Sequence, residues 1–273
     1  MPELPEVETV KETLKRQIIG KTVADVKIVY GKLIRNQDPN HFKAALIGKT
    51  LQKIERYGKY LFFDFGDVVL TVHLRMEGKF FLKSQDEPIV KHEHIIFYFT
   101  DRSTLRYHDV RKFGTMEIMP AGSERLSTGI AKLGKEPFDS DFTDSYLYDK
   151  IYKSTRPIKS LLLDQEIVAG LGNIYVDEVL YLSGIDPRRT GKDVTMVETG
   201  ILANNCRAVL KKAIILGGTT IRSYTSSLGI TGRFQNELNV HTKNGLPCHK
   251  CGSLIEKIKV GGRGTYYCPL CQK

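Results

Sequence analysis

The chain opens Met1-Pro2-Glu3-Leu4-Pro5-Glu6. Pro5 suits the first turn of a helix, and Glu6 and Glu8 suit a helix N-terminus, where unpaired backbone N–H groups favour acidic side chains. Pro2 has no such explanation. Once Met1 is removed, Pro2 presents a free secondary amine. That amine can attack the anomeric carbon of a sugar and leave an iminium, by the logic of a lysine Schiff base. An iminium from a secondary amine has no nitrogen proton to lose, so it stays cationic and draws electrons. Glu3 stands beside it, placed to give or take protons. That role requires a raised carboxyl pKa, so burial or the sugar must outweigh the helix start, which favours the carboxylate.

The other set of reactive residues lies near the opposite end. Cys248-x2-Cys251 and Cys268-x2-Cys271, sixteen residues apart, have the spacing of a four-thiolate zinc ribbon. Four thiolates fill a tetrahedral site and leave no place for water, so one structural Zn2+ is expected. The alternative, two disulfides, conflicts with a reducing compartment. Cys206 stands alone in a helical stretch and reads as a small core residue.

These residues need elements to hold them. Over 273 residues, 41% hydrophobic and 26% charged, the composition is that of a globular protein. The net charge of +10 points to a polyanionic partner, nucleic acid first. No apolar run approaches the roughly 18 residues of a membrane span, and no secretory signal pattern is present. A cytoplasmic protein with no membrane role is expected. Residues 5–20 read as a helix with Val7, Val10, Leu14 and Ile18 on one face and Gly20 at its stop. From "VADVKIVY" to "GTMEIM", short runs rich in Val, Ile, Phe and Tyr predict a β-sandwich or barrel. Residues 121–142 read as a linker. From about 143 to 216 the period is helical, clearest in "ETGILANNCRAVLKKAIILGG". The stretch between the cysteine pairs, "LIEKIKVGGRGTYY", predicts a β-hairpin with Arg263 at its tip.

The motifs "PELPE", "RYGKYL", "HLRMEGKF", "DVRKFGT", "GLGNIYVDE", "GGTTIRSY" and "GGRGTYYCPLCQK" run from residue 2 to residue 273. Together they resemble the bacterial formamidopyrimidine-DNA glycosylase family. The resemblance implies an α+β multidomain chain: an N-terminal β-sandwich domain preceded by a helix (1–132), a helix-two-turn-helix domain (133–236) and a zinc-finger hairpin (237–273). It implies a bifunctional enzyme of base excision repair. Such an enzyme removes 8-oxoguanine and formamidopyrimidines from double-stranded DNA, acts on abasic sites and nicks the strand by β,δ-elimination. A monomer working on the bacterial nucleoid is expected.

Residue by residue, the resemblance makes Pro2 the nucleophile at C1′ and Glu3 the acid acting on the deoxyribose. Lys59 assists β-elimination, and Arg263 assists δ-elimination and grips the phosphate of the damaged nucleotide, which Asn173 shares. Taken by itself, Lys59 reads as a solvated strand lysine and Asn173 as a helix N-cap. The target base must leave the stack, and Met76, Arg111 and Phe113 match the trio that fills the space it leaves. His73, His92 and Lys159 match DNA-contacting positions, with Lys153 and Arg156 placed less securely. Thr219, Thr220, Ile221, Arg222 and Tyr224 match a loop that closes over the flipped base. Glu6 reads as little more than a first-turn glutamate. Two alternatives stand beside this reading: an endonuclease VIII-like glycosylase for oxidised pyrimidines, and a non-catalytic zinc-dependent DNA-binding protein.

Overall fold

The computed structural model describes residues 1–127, 129–219 and 232–273. The chain divides into two compact units, Met1–Ala131 with Gly217–Gly232, and Lys132–Leu216 with Arg233–Lys273.

In the first unit, helix α1 (Leu4–Ile18) buries Leu4, Val7, Val10, Leu14 and Ile18. It ends where Gly20 takes a φ of 83°, a left-handed conformation that glycine adopts without a Cβ penalty. Two antiparallel four-stranded sheets follow. One runs β1 (Val23–Ile28), β6 (Glu93–Phe99), β7 (Ser103–His108), β5 (Lys79–Ser84). The other runs β2 (Lys53–Tyr57), β3 (Tyr60–Asp64), β4 (Val68–His73), β8 (Thr115–Pro120). Phe63 from one sheet meets Phe80 from the other at a ring separation of 5.6 Å, inside one continuous apolar core that also takes in α1. This is the expected sandwich. It contains one element that the strand pattern does not announce. Pro39–Leu46 forms a short helix, α2, with Pro39 in its first turn and the Asp38 carboxylate accepting from the Asn40 N–H at 2.8 Å.

The second unit holds α3 (Asp144–Ile151), α4 (Ile158–Leu162), α5 (Asn173–Ser183) and α6 (Met196–Ile215). Helix α6 begins with a capping box: Thr195 Oγ1 accepts from the Glu198 N–H, and the Glu198 carboxylate accepts from the Thr195 N–H. The hairpin β9 (Glu256–Val260) and β10 (Arg263–Tyr267) turns at Gly261-Gly262, both at positive φ, as a two-residue turn matched to the strand twist requires. It packs against α5. No helix among the described residues is long and apolar enough to cross a membrane.

Candidate active site and metal centre

The N-terminal residues are held by short-range bonding. Pro2 and Glu3 are both buried. Glu3 is the residue that caps α1, and its N–H donates to the Glu6 carboxylate at 2.8 Å. With Met1 attached, the Pro2 nitrogen is a tertiary amide and cannot attack; the chemistry requires a processed N-terminus.

Lys59 occupies the two-residue turn between β2 and β3, with Gly58 at positive φ. It is only 5% exposed, so it is not a solvated strand lysine. Arg56 braces this turn, donating to the Glu8 carboxylate on α1 at 2.7 Å and to the Gly58 carbonyl at 2.9 Å. One guanidinium thereby ties the helix that follows Pro2-Glu3 to the turn that carries Lys59. Register places His73 opposite Tyr60, the residue after Lys59, with the two rings 4.5 Å apart edge to face. His73 Nδ1 accepts from the Arg75 N–H at 2.9 Å, so the neutral ring carries its proton on Nε2. Burial, with Arg75 and Lys59 nearby, pushes its pKa down to about 3.

The trio expected to fill the space of a flipped base lies at loop tips. Met76 sits in the turn after β4 and Phe113, 50% exposed, in the loop after β7. The Arg111 guanidinium lies 4.8 Å from the Phe113 ring centroid, so the two side chains present one surface. His92 is half-buried at positive φ, its ring against His94 and His108.

Of the loop expected to close over the flipped base, Thr219 is described; Thr220, Ile221, Arg222 and Tyr224 lie outside the described residues. Both the N–H and the hydroxyl of Thr219 donate to Glu6 Oε1, at 2.7 and 3.1 Å. Glu6 thus bonds the Glu3 backbone with one oxygen and the start of this loop with the other. The second bond was not legible in the sequence, because a first-turn glutamate already has an ordinary helical explanation.

In the second unit, Asn173 is the first residue of α5, and the cap is Gly172 rather than Asn173. The Asn173 amide donates to the Gly264 carbonyl at 3.0 Å, next to Arg263, which is exposed at the hairpin tip. Lys159 is not an exposed lysine: its side chain is fully buried, and its ammonium donates to Asp177 at 2.7 Å, Thr265 Oγ1 at 2.8 Å and the same Gly264 carbonyl at 3.0 Å. A lysine enclosed in this way holds the hairpin. Lys153 and Arg156 are exposed, Arg156 paired with Asp164 at 2.9 Å. Two α5 residues, the Asp177-Glu178 that end the "GLGNIYVDE" motif, complete the support. Asp177 also bonds His241 Nδ1 at 2.7 Å, and Glu178 accepts the N–H groups of Asn239, Val240 and His241 at 2.7–3.0 Å.

The thiol sulfurs of Cys248, Cys251, Cys268 and Cys271 all lie within 4.8 Å of one another. The Cys251–Cys268 and Cys248–Cys271 separations are 3.5 and 3.9 Å. A tetrahedron with zinc–sulfur bonds of about 2.3 Å has edges of about 3.8 Å. An all-sulfur donor set of that size fits one structural Zn2+ and leaves no open position.

The chain matches three family models: the formamidopyrimidine-DNA glycosylase N-terminal domain over residues 1–116, the formamidopyrimidine-DNA glycosylase H2TH domain over 133–225, and a zinc finger found in FPG and IleRS over 245–273. It is 50% identical to the formamidopyrimidine-DNA glycosylase of Bacillus licheniformis, with 100% of both chains covered. It is 49% identical to that of Bacillus cereus, covering 100% of this chain and 99% of the relative. Among solved structures, a Lactococcus lactis FPG variant complexed with Fapy-dG-containing DNA aligns with a TM-score of 0.94 at 44% identity over 100% of both chains. The L. lactis Fpg with abasic-site DNA gives the same score over 99% of each. Full-length identity at this level, on a chain whose buried Pro2-Glu3 start and four-thiolate centre fit the same chemistry, shows that the chain belongs to the formamidopyrimidine-DNA glycosylase family.

Proposed function

We propose that this DNA glycosylase excises oxidised purines, 8-oxoguanine and formamidopyrimidines, from duplex DNA and then cleaves the strand as a lyase. The observation that carries the reading is the Arg56 brace, which ties the helix following Pro2-Glu3 to the turn bearing Lys59. The freed Pro2 nitrogen attacks C1′ of the damaged nucleotide as the electrons of the glycosidic bond leave with the base, and the amine proton that Pro2 gives up neutralises the departing base. Glu3 gives its proton to the sugar ring oxygen, which opens the ring and leaves an iminium between Pro2 and C1′. The iminium acidifies the C2′ proton. Lys59 assists its removal, which expels the 3′ phosphate, and Arg263 assists loss of the 5′ phosphate in the second elimination. Arg263 and Asn173 hold the phosphate of the damaged nucleotide, while Met76, Arg111 and Phe113 occupy the space left by the flipped base. Neutral His73 donates from Nε2 to a backbone phosphate, and His92 makes a further backbone contact. Thr219 begins the loop that covers the extruded base. The enzyme acts as a monomer on chromosomal DNA in the cytoplasm.

Borohydride trapping on an 8-oxoguanine:cytosine duplex tests this. A covalent adduct through Pro2, identified by mass spectrometry, is expected. Binding without an adduct from protein lacking Met1 would leave only a DNA-binding protein. Oxidised pyrimidines are a second reading, because the L. lactis Fpg has also been solved with an oxidised-pyrimidine DNA. Faster turnover on a thymine-glycol duplex than on 8-oxoguanine would favour it.

A further inference from the structure

We propose that Tyr107 and Asp109 form a positioning unit that fixes the Met76 turn and the Arg111–Phe113 loop against each other. The inference rests on the reading that these tips fill the space of the flipped base.

Asp109 lies just past the end of β7 and is fully buried. Its Oδ1 accepts from the Arg111 N–H at 3.0 Å, and its Oδ2 accepts from the Phe113 and Gly114 N–H groups at 2.9 and 2.8 Å. A buried carboxylate is costly unless hydrogen bonds satisfy it, and here backbone amides of one loop do so. The loop needs such a clamp, because Lys112 at its centre has a φ of 57°, a conformation L-residues rarely take. From β6, His94 Nε2 lies 2.8 Å from the Asp109 carbonyl, which holds the residue from its other side.

Tyr107, two residues earlier, is also fully buried, packed on Phe80 at a ring separation of 5.3 Å. Its hydroxyl donates to Asp109 Oδ2 at 3.4 Å. That hydroxyl fills the space two glycines leave open. A Cβ on Gly114 would lie 1.7 Å from it, and a Cβ on Gly78 would lie 2.2 Å from it. Gly114 ends the Arg111–Phe113 loop. Gly78 closes the Met76 turn, its N–H donating to the Leu74 carbonyl at 3.0 Å. One hydroxyl is therefore wedged between the bases of both loops and bonded to the carboxylate that shapes one of them. The sequence pattern Tyr-x-Asp-x-Arg-x-Phe-Gly places each part at the spacing this requires.

The full-length enzyme carrying Asp109→Asn or Tyr107→Phe tests the unit against Arg111→Ala. Asparagine offers one oxygen, so it can serve either the Arg111 amide or the Phe113–Gly114 pair but not both. Two readouts are taken: the preference for cytosine over adenine opposite 8-oxoguanine, and hydrogen exchange at the Arg111, Phe113 and Gly114 amides without DNA. Asp109→Asn should speed exchange roughly tenfold at the Arg111 amide or at the Phe113–Gly114 pair, whichever the one remaining oxygen no longer serves, the effect of losing one ordinary hydrogen bond. It should bring the opposite-base preference to within about twofold of Arg111→Ala, with no further loss in the double variant. Trapping on an abasic-site duplex should persist, and Tyr107→Phe should give a smaller change in the same direction. Unchanged exchange in Asp109→Asn overturns the unit whatever Arg111 does. A relaxed preference in Arg111→Ala with the native preference kept in Asp109→Asn also overturns it. If Arg111→Ala keeps the native preference while exchange rises in Asp109→Asn, the unit stands and the role given to Arg111 fails.

Discussion

A histidine that stays neutral is a different tool from one that titrates. His73 is depressed to about 3 by burial first, and then by Arg75 and Lys59, so at physiological pH it is a hydrogen-bond donor without charge. The depression has a stability consequence. The unfolded chain binds this proton near pH 6.5 and the folded chain only near 3, so the unfolded state holds more protons between those values. The stability associated with neutral His73 is fully present above pH 6.5 and is lost as pH falls toward 3. His73→Gln cannot take up that proton. Its Tm relative to the native enzyme should therefore rise steadily between pH 6.5 and 4, as scanning calorimetry at several pH values would record. A pH-independent difference would show that the imidazole titrates normally. Glu3→Gln probes a proton of the other kind. The amide cannot donate a carboxylic proton, so lesion binding should survive while excision of 8-oxoguanine falls by about 100-fold or more. Equal excision rates in a single-turnover assay would remove Glu3 from the chemistry.

Elements were legible in the sequence where a repeating pattern matched one kind of structure. The 3.6-residue spacing of Val7, Val10, Leu14 and Ile18 gave α1, and Gly217-Gly218, both at positive φ, follow the end of α6 as the glycine pair implied. The cysteine spacing gave the metal centre because tetrahedral coordination tolerates few alternatives. Helix α2 was hidden because eight residues inside a β-rich stretch carry too few turns to show a period, and only Asp38-Pro39 marks it. The burial of Lys159 was hidden for a different reason: sequence gives a lysine's charge but not which way its ammonium points. Its partners lie on α5 and β10, 18 to 106 residues away along the chain. The two roles separate experimentally. Lys159→Met keeps the volume and removes the ammonium that Asp177 pairs with, which for a broken buried pair costs about 3–5 kcal/mol. Tm should fall clearly, and adding Asp177→Asn should recover part of the loss. The dependence of DNA affinity on salt should hardly change, since no phosphate contact is lost. A large change in salt slope at constant Tm would instead restore Lys159 to the DNA surface.

At the scale of the whole molecule, charge and division into units decide what each loss does. With a net charge of +10, phosphate contacts are expected to contribute to affinity, and removing one cation that touches a phosphate has a countable signature. Arg263→Ala should lower the slope of log affinity against log salt by about 0.9 whatever the opposite base, an outcome filter binding at several salt concentrations can read. The metal acts on one unit alone. The sandwich core is built from Val7 through Met116, all within the first unit, and contains no zinc ligand. The cluster around the ribbon is small by contrast: Tyr181, Val240 and Ile255 pack with Cys248 and Cys268, so two of the ligands are themselves part of the core. Structural zinc supplies on the order of 10 kcal/mol to a module of this size, and the few apolar contacts cannot replace it. Losing the metal releases β9 and β10, and with them Arg263 and the Gly264 carbonyl that Asn173 and Lys159 hold. Chelation, or Cys268→Ser, should therefore abolish binding to a lesion duplex. The sandwich should keep its own cooperative unfolding transition, so calorimetry of the metal-free protein should retain a transition that far-UV circular dichroism assigns to β-structure. Metal-free protein that bound the duplex with native affinity would show that the hairpin folds without its zinc.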